Sequence, residues 1–367
     1  VKITRLAPAA ALLAVGALTL SACGGSNGGS NGGGEGGEGG DSGSIAGTLI
    51  GGGASSQESA MTAWVEGVKS EHADLTVQYD PVGSGSGREG FLNGQYSFAG
   101  SDAAMDDDEK SQAESICGPE GVFQVPAYIS PVAVAYNLPE VSEAVKMDAD
   151  TIAKVFTGEI SKWNDEAIAS QNEGVELPDM DITVVHRADD SGTTENFTEY
   201  LAAAAPDSWT HDVVEAWPSD IAAESAQQTS GVVSLTNSTE GAITYADASQ
   251  VGELGTVAVG VGEEYVEYSA DAAAQAVESA EQAEDGSVEL DRDTEEAGVY
   301  PIVLVSYHIY CKQYQDQETA DLAKAFATYV VSEAGQSEAE GAAGSAPISA
   351  GTRDAAMQSI DAIGVQG

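Results

Sequence analysis

The sequence predicts an α/β chain of two lobes, each a mostly parallel sheet flanked by helices. Three observations predict this. Short apolar runs alternate with helical patterns, the βαβ rhythm of parallel sheets. Successive strands end in loops of Gly, Ser and Asp, and in open α/β sheets such loops converge beyond the carboxyl ends of the strands. Roughly 320 residues follow the N-terminal region, more than one core usually organises.

The elements run as follows. Lys2 and Arg5 precede an uncharged, mostly apolar stretch, Leu6 to Leu20, that ends in Leu20-Ser21-Ala22-Cys23. A basic start, an apolar middle and small residues before a break describe a secretory signal peptide over residues 1–22. A membrane span needs about 20 apolar residues, and this shorter stretch contains Pro8 and Gly16. Leu-Ser-Ala-Cys resembles a bacterial lipobox, whose cysteine, here Cys23, becomes the lipidated first residue. Gly24 to Ser44 is almost wholly Gly, Ser, Asn, Glu and Asp. It cannot bury a core, so residues 23–45 read as a lipidated cysteine and a tether with a reach of about 25 Å.

Ala46 to Ile50 reads as a strand, Gly51 to Ser56 as a turn, and Gln57 to Ser70 as a helix carrying Ala60, Trp64 and Val68 on one face. Leu75 to Tyr79 is the next strand, Pro81 to Gly87 the turn after it, and a helix with Phe91 and Leu92 follows. Tyr96 to Asp102 is a short strand ending on a carboxylate. Each loop has a plain alternative: a tight turn, a linker, or, for Asp102, a cap on a helix beginning near Met105. Neither glycine-rich loop matches a nucleotide fingerprint.

The most informative stretch is Arg187-Ala188-Asp189-Asp190-Ser191-Gly192-Thr193-Thr194. A strand (Ile182 to Val185) delivers an arginine into a turn that opens the helix containing Phe197 to Ala205. The first N–H groups of a helix have no intrahelical partner and carry partial positive charge, which suits an anion. Gly192 permits close approach, Ser191 and Thr193 add hydroxyls, and Arg187 adds a full charge and a fork of donors. The plain alternative is that Ser191 only caps a surface helix while Arg187 pairs with Asp189.

Composition narrows the classes. Thirteen basic against sixty acidic residues give a net charge of −47, and loss of Lys2 and Arg5 with the signal peptide makes it −49. Nucleic acid demands a basic face and is excluded as a partner. A small anion held by local donors is not, since distant carboxylates are screened within about 10 Å at 0.1 M salt. His72, His186, His211 and His308 are scattered singly and read as structural or solvated, so no metal, cofactor or catalytic residue is expected. Pairing Cys117 with Cys311 would tie an early segment to a late one, as in a lobe assembled from both ends of an exported chain.

The order of Leu49 to Ser56, Val82-Gly83-Ser84-Gly85-Ser86-Gly87, Ala99-Gly100-Ser101-Asp102 and Arg187 to Thr194 resembles that of the phosphate-binding proteins of bacterial ABC phosphate importers. Phe156-Thr157-Gly158-Glu159-Ile160-Ser161-Lys162-Trp163, Trp217-Pro218 and Gly241-Ala242-Ile243-Thr244-Tyr245 extend the likeness over nearly the whole chain from residue 46. The resemblance implies a type II periplasmic-binding-protein-like fold that closes on inorganic phosphate. Ser55, the backbone of Ser56, Ser84 and Asp102 would bind from one lobe. Arg187, Ser191, Gly192 and Thr193 would bind from the other, with Asp189 orienting Arg187. The expected protein is a monomer, lipid-anchored at the outer face of the cell membrane, that delivers phosphate to an ABC permease. A receptor for another tetrahedral oxyanion and an exported phosphatase are the alternatives.

Two departures stand out. Where the family commonly has Gly-Ala-Gly-Ala-Thr-Phe-Pro, this chain has Gly51 to Gln57, which keeps a hydroxyl at Ser55 but loses an aromatic at Ser56. The family's glycine-rich stretch after Trp-Pro is poorly kept in Pro218 to Ser230. Asp102 nonetheless argues for phosphate on physical grounds. A carboxylate only accepts hydrogen bonds, so it can take one from protonated phosphate and none from sulfate. The expected lobes are residues 46–137 with 303–367, and 138–302, joined by Val134 to Asn137 and Tyr300 to Leu304.

Overall fold

The computed structural model describes residues 45–278, 280–283 and 286–367. The residues read as a signal peptide, Cys23 and nearly all of the segment read as a tether lie outside them. The chain opens with β1 (Ala46–Gly53), α1 (Glu58–Gly67), β2 (Asp74–Asp80), α2 (Ser84–Leu92), β3 (Phe98–Ser101), α3 (Asp107–Cys117) and β4 (Val122–Tyr136). Later elements that shape the site are β5 (Thr183–Arg187), α4 (Gly192–Ala204), β6 (Glu224–Ala226), α5 (Gln228–Ser238), β7 (Ala242–Asp247) and β8 (Val303–Cys311).

One nine-stranded sheet runs β2-β1-β3-β8-β4-β7-β5-β6, with the short strand Gly255–Thr256 also on β4. The outer strands pair in parallel, β2 and β3 with β1, and β7 and β6 with β5. The strands through the middle are antiparallel, β3 to β8, β8 to β4 and β4 to β7. The sheet is therefore mixed rather than mostly parallel. The parallel pairs come from local βαβ crossovers, whereas β4 and β8 are brought together from distant parts of the chain.

β4 organises the two halves. Its residues Val122–Pro131 pair with β8, and Val132–Tyr136 pair with β7. Val132 N–H also donates to the Ile302 carbonyl at 2.7 Å. β4 is buried along almost its whole length, and its mostly apolar run, broken by the buried Gln124 and Ser130, offers no face to water. Around Phe98 the first half packs Tyr79, His308, Tyr310 and Phe326. The second half packs Phe156, Phe197 and Trp217 around Tyr245.

The Pro81–Gly87 turn is shorter than its glycines suggest, since helix α2 already begins at Ser84. Close packing explains the composition. A Cβ on Gly87 would lie 2.3 Å from Gly53 Cα, and one on Gly53, at φ +146°, would lie 1.9 Å from the Gly100 carbonyl oxygen. α3 is capped by Asp106, reciprocally with Glu109, which leaves Asp102 free of the capping role its position allows. Cys117 and Cys311 form a disulfide with Cα atoms 5.0 Å apart, joining the end of α3 to the end of β8.

Candidate functional site

Four loops meet where the two halves of the sheet face each other, and each leads into a helix. Ser55 and Ser56 lie between β1 and α1, Ser84 is the first residue of α2, Gly192 and Thr193 open α4, and Thr229 is the second residue of α5. Four helix N-termini thus enter one region, each with amides that have no intrahelical partner.

Asp102, 4 % exposed, is at the centre of the contacts. Its Oδ1 accepts from Ser56 Oγ at 2.6 Å, and its Oδ2 accepts from Thr193 Oγ1 at 2.9 Å across the two halves. Its N–H donates to Ser84 Oγ at 3.1 Å, and its carbonyl accepts from Asn196 Nδ2 at 2.8 Å. Burial pushes the carboxyl pKa up, while the hydroxyls of Ser56, Ser306 and Thr193 and the charge of Arg187 pull it back. An ionised carboxylate offers about four lone-pair positions, so the three hydroxyls of Ser56, Ser306 and Thr193 leave Asp102 able to accept from a fourth partner.

Arg187 and Asp189 form the charged counterpart. Arg187 is 3 % exposed; its Nε donates to Asp189 Oδ1 at 2.9 Å and its Nη2 donates to Asp189 Oδ2. Burial opposes ionisation of Asp189, but Arg187 and the Gln228 N–H outweigh it and hold the carboxyl below its usual range. Among the described residues the partners of the remaining nitrogen, Nη1, are distant: Thr193 Oγ1 and Thr229 Oγ1, each at 3.5 Å. That end of the guanidinium combines a full charge with loosely engaged donors.

Ser191 is the N-cap of α4, accepting from Thr194 N–H at 3.3 Å, and its own N–H donates to the Glu215 carbonyl at 3.2 Å. The capping role is therefore real, but the helix start, Ser191 to Thr194, is buried rather than a surface helix end. Gly192 is required by contact, since a Cβ there would lie 2.8 Å from Asp102 Cβ and 2.9 Å from Ala103 N. Ser55, Ser56, Ser84, Asp102, Arg187, Ser191, Gly192 and Thr193 are all buried; Ser56, Ser84 and Thr193 bond directly to Asp102, Gly192 packs against it, and Ser191 joins the group as the cap of the same helix.

Two residues of the site escape sequence reasoning. Thr229 N–H donates to Ser55 Oγ at 3.0 Å, and the two hydroxyls lie 3.1 Å apart. Gln228 adopts φ +64°, a left-handed conformation uncommon outside glycine, and so directs its N–H to Asp189 Oδ1 at 2.9 Å. Both lie in Pro218 to Ser230, the stretch that departs from the family pattern, and that departure is the signal that marks them.

The histidines stay out of this chemistry. His308 is fully buried, with burial pushing its pKa down to about 3, and its Nε2 lies 2.8 Å from Gln57 Oε1. His186 stacks on Trp217 with centroids 5.3 Å apart, on the strand face opposite Arg187. Among the described residues no group of three or more His, Cys, Asp or Glu is placed to hold a metal ion.

Known proteins give the same picture of the chain. A sequence model of the PBP superfamily domain matches residues 40–334. The phosphate-binding protein PstS 3 of Mycobacterium tuberculosis is 33% identical over 347 residues, covering 92% of this chain and 93% of the relative. PstS 2 of the same organism is 31% identical over 337 residues, covering 89% and 90%. Among solved structures, a high-affinity periplasmic phosphate-binding protein (PfluDING) bound with phosphate superimposes with a TM-score of 0.66 at 22% identity, covering 84% of this chain and 92% of that one. A phosphate-binding protein from Stenotrophomonas maltophilia gives 0.64 at 19%, covering 85% and 94%. The chain belongs to the PBP superfamily and, within it, to the PstS phosphate-binding proteins.

Proposed function

We propose that this member of the PstS phosphate-binding proteins is an extracytoplasmic receptor that encloses inorganic phosphate between two lobes and hands it to an ABC permease. The observation that carries the reading is Asp102, a buried acceptor set among hydroxyl donors and facing the half that supplies Arg187. Near neutral pH phosphate keeps at least one proton for such an acceptor, and sulfate keeps none. An unpaired buried carboxylate against sulfate costs about 1–3 kcal/mol or more, so the same group admits one anion and rejects the other.

In this reading Ser55, Ser56, Ser84 and Asp102 contact the anion from the first lobe. Arg187, Ser191, Gly192 and Thr193 contact it from the second, Asp189 fixes the guanidinium, and Thr229 joins the set. Residues 46–137 with 303–367 form one lobe and 138–302 the other; the change of partner along β4 at Pro131 and Val132 supports two bodies that share crossing strands. Closure of the lobes completes the site and gives a permease a distinct surface to recognise. Residues 1–22 act as a signal peptide, Cys23 carries lipid, and the tether lets a monomer work close to the membrane. The protein's role is binding and delivery rather than catalysis.

Equilibrium dialysis against labelled phosphate tests this, using purified protein freed of anion by partial unfolding and refolding. One saturable site per chain, not emptied by equimolar sulfate, is expected. Failure to bind phosphate, or equal displacement by sulfate, would overturn the proposal. Turnover of a phosphate ester would overturn it in favour of a hydrolase.

A further inference from the structure

Arg88 is 6 % exposed, lies on α2 one turn beyond Ser84, and is not among the groups assigned to the anion. Its Nε donates to both oxygens of Glu109, at 2.8 and 3.1 Å. Its Nη1 donates to Ser101 Oγ at 2.9 Å and to Glu215 Oε1 at 3.0 Å, and its Nη2 donates to Glu215 Oε2 at 2.7 Å. Glu109 and Ser101 belong with Arg88 to the first half of the molecule. Glu215 lies between α4 and β6, in the second. The pair is thus a planar, two-pronged bond across the halves, the strongest geometry such a pair can take.

Each end of the bond is attached to a residue of the candidate site. Ser101 immediately precedes Asp102. On the other side, the Glu215 carbonyl accepts the Ser191 N–H at 3.2 Å, so the residue that grips Arg88 with its side chain holds the start of α4 with its backbone. We propose that Arg88 and Glu215 form a clasp that aligns the Ser191 loop with Asp102 and slows release of the bound anion. The clasp rests on the phosphate-receptor reading but assigns residues that touch no ligand; Arg88 and Glu215 are positioning residues.

Physical chemistry predicts how the clasp acts. Separating the halves breaks two charge-assisted bonds between a buried cation and a largely buried carboxylate, and the cost falls on opening rather than on encounter. Glu215→Gln leaves Arg88 paired with Glu109, so that variant loses the clasp without leaving a lone buried cation. Arg88→Gln leaves Glu215, Glu109 and neighbouring Glu195 without their shared counter-charge and is the harsher change. Arg88→Lys keeps the charge but loses the fork.

Stopped-flow release of phosphate into a phosphate-sensing trap, together with association rates, tests the clasp on the full chain. Glu215→Gln is expected to speed release about tenfold with little change in association, as for a buried interfacial charge pair. Arg88→Gln should act in the same direction, Arg88→Lys should recover only part of the loss, and the double variant should fall short of the product of the single effects. Release at the wild-type rate from Glu215→Gln would overturn the clasp, and so would strict multiplicativity in the double variant. A merely structural role would lower melting temperature while leaving release unchanged. Failure of the wild-type chain to load phosphate at all would instead overturn the receptor reading beneath it.

Discussion

The two walls of the cleft are made from different chemistry. The first wall offers neutral hydroxyls at Ser55, Ser56 and Ser84 and one acceptor, Asp102, itself engaged by Ser56 and, from the far wall, by Thr193. The second wall offers a cation, Arg187, held by Asp189, whose pKa is depressed and which therefore stays ionised. In the proposed reading the difference separates two tasks. Charge on the second wall supplies attraction that any oxyanion would feel. The carboxylate on the first wall weakens attraction for anions without a proton and spares those with one. A strongly acidic chain can therefore hold an anion, provided its few cations are buried at the site that needs them.

Removing the charge breaks the comparison most severely. Arg187→Ala deletes the cation and leaves Asp189 buried without its partner, and should lower phosphate affinity at least about 100-fold, within the 2–5 kcal/mol typical of such truncations; calorimetric titration checks it. A subtler effect comes from Glu195 on α4. Burial, together with the charge of Glu215, pushes its carboxyl up to about 7, against 4.5 for an ordinary glutamate. An acid whose pKa is raised on folding contributes stability that is fully present below about 4.5 and lost as pH rises through about 7. Glu195→Gln should therefore lose less stability than wild type between pH 5 and 8, by on the order of 1–3 kcal/mol, as read by urea unfolding at each pH. Smallest is Gln228→Gly, which relieves a left-handed backbone on the second wall and should raise stability by up to about 1 kcal/mol in the same unfolding experiment.

Much of this site is legible in the sequence because its loops are local. A strand, a turn with hydroxyls and glycine, and a helix start are contiguous in the chain, and Arg187 to Thr194 is built that way. The Ser55–Thr229 contact spans 174 residues and the Arg88–Glu215 pair 127, and no periodicity reports such distances. The antiparallel centre of the sheet is hidden for the same reason, since β8 reaches β4 from far along the chain. Glycine misleads in the opposite sense. In Ser84 to Gly87 it reads as a turn, whereas a helix begins there and Gly87 lacks a side chain because its backbone passes against Gly53.

The central claim is that Asp102 chooses the anion by its proton. Side-by-side titrations of wild type and Asp102→Asn with phosphate and with sulfate at one neutral pH test it most directly. The account predicts tight phosphate binding and no measurable sulfate binding in wild type, with the gap narrowing by about 5- to 150-fold in the variant, as expected for about 1–3 kcal/mol. An unchanged gap in Asp102→Asn, or sulfate binding as tight as phosphate in the wild type, would contradict it.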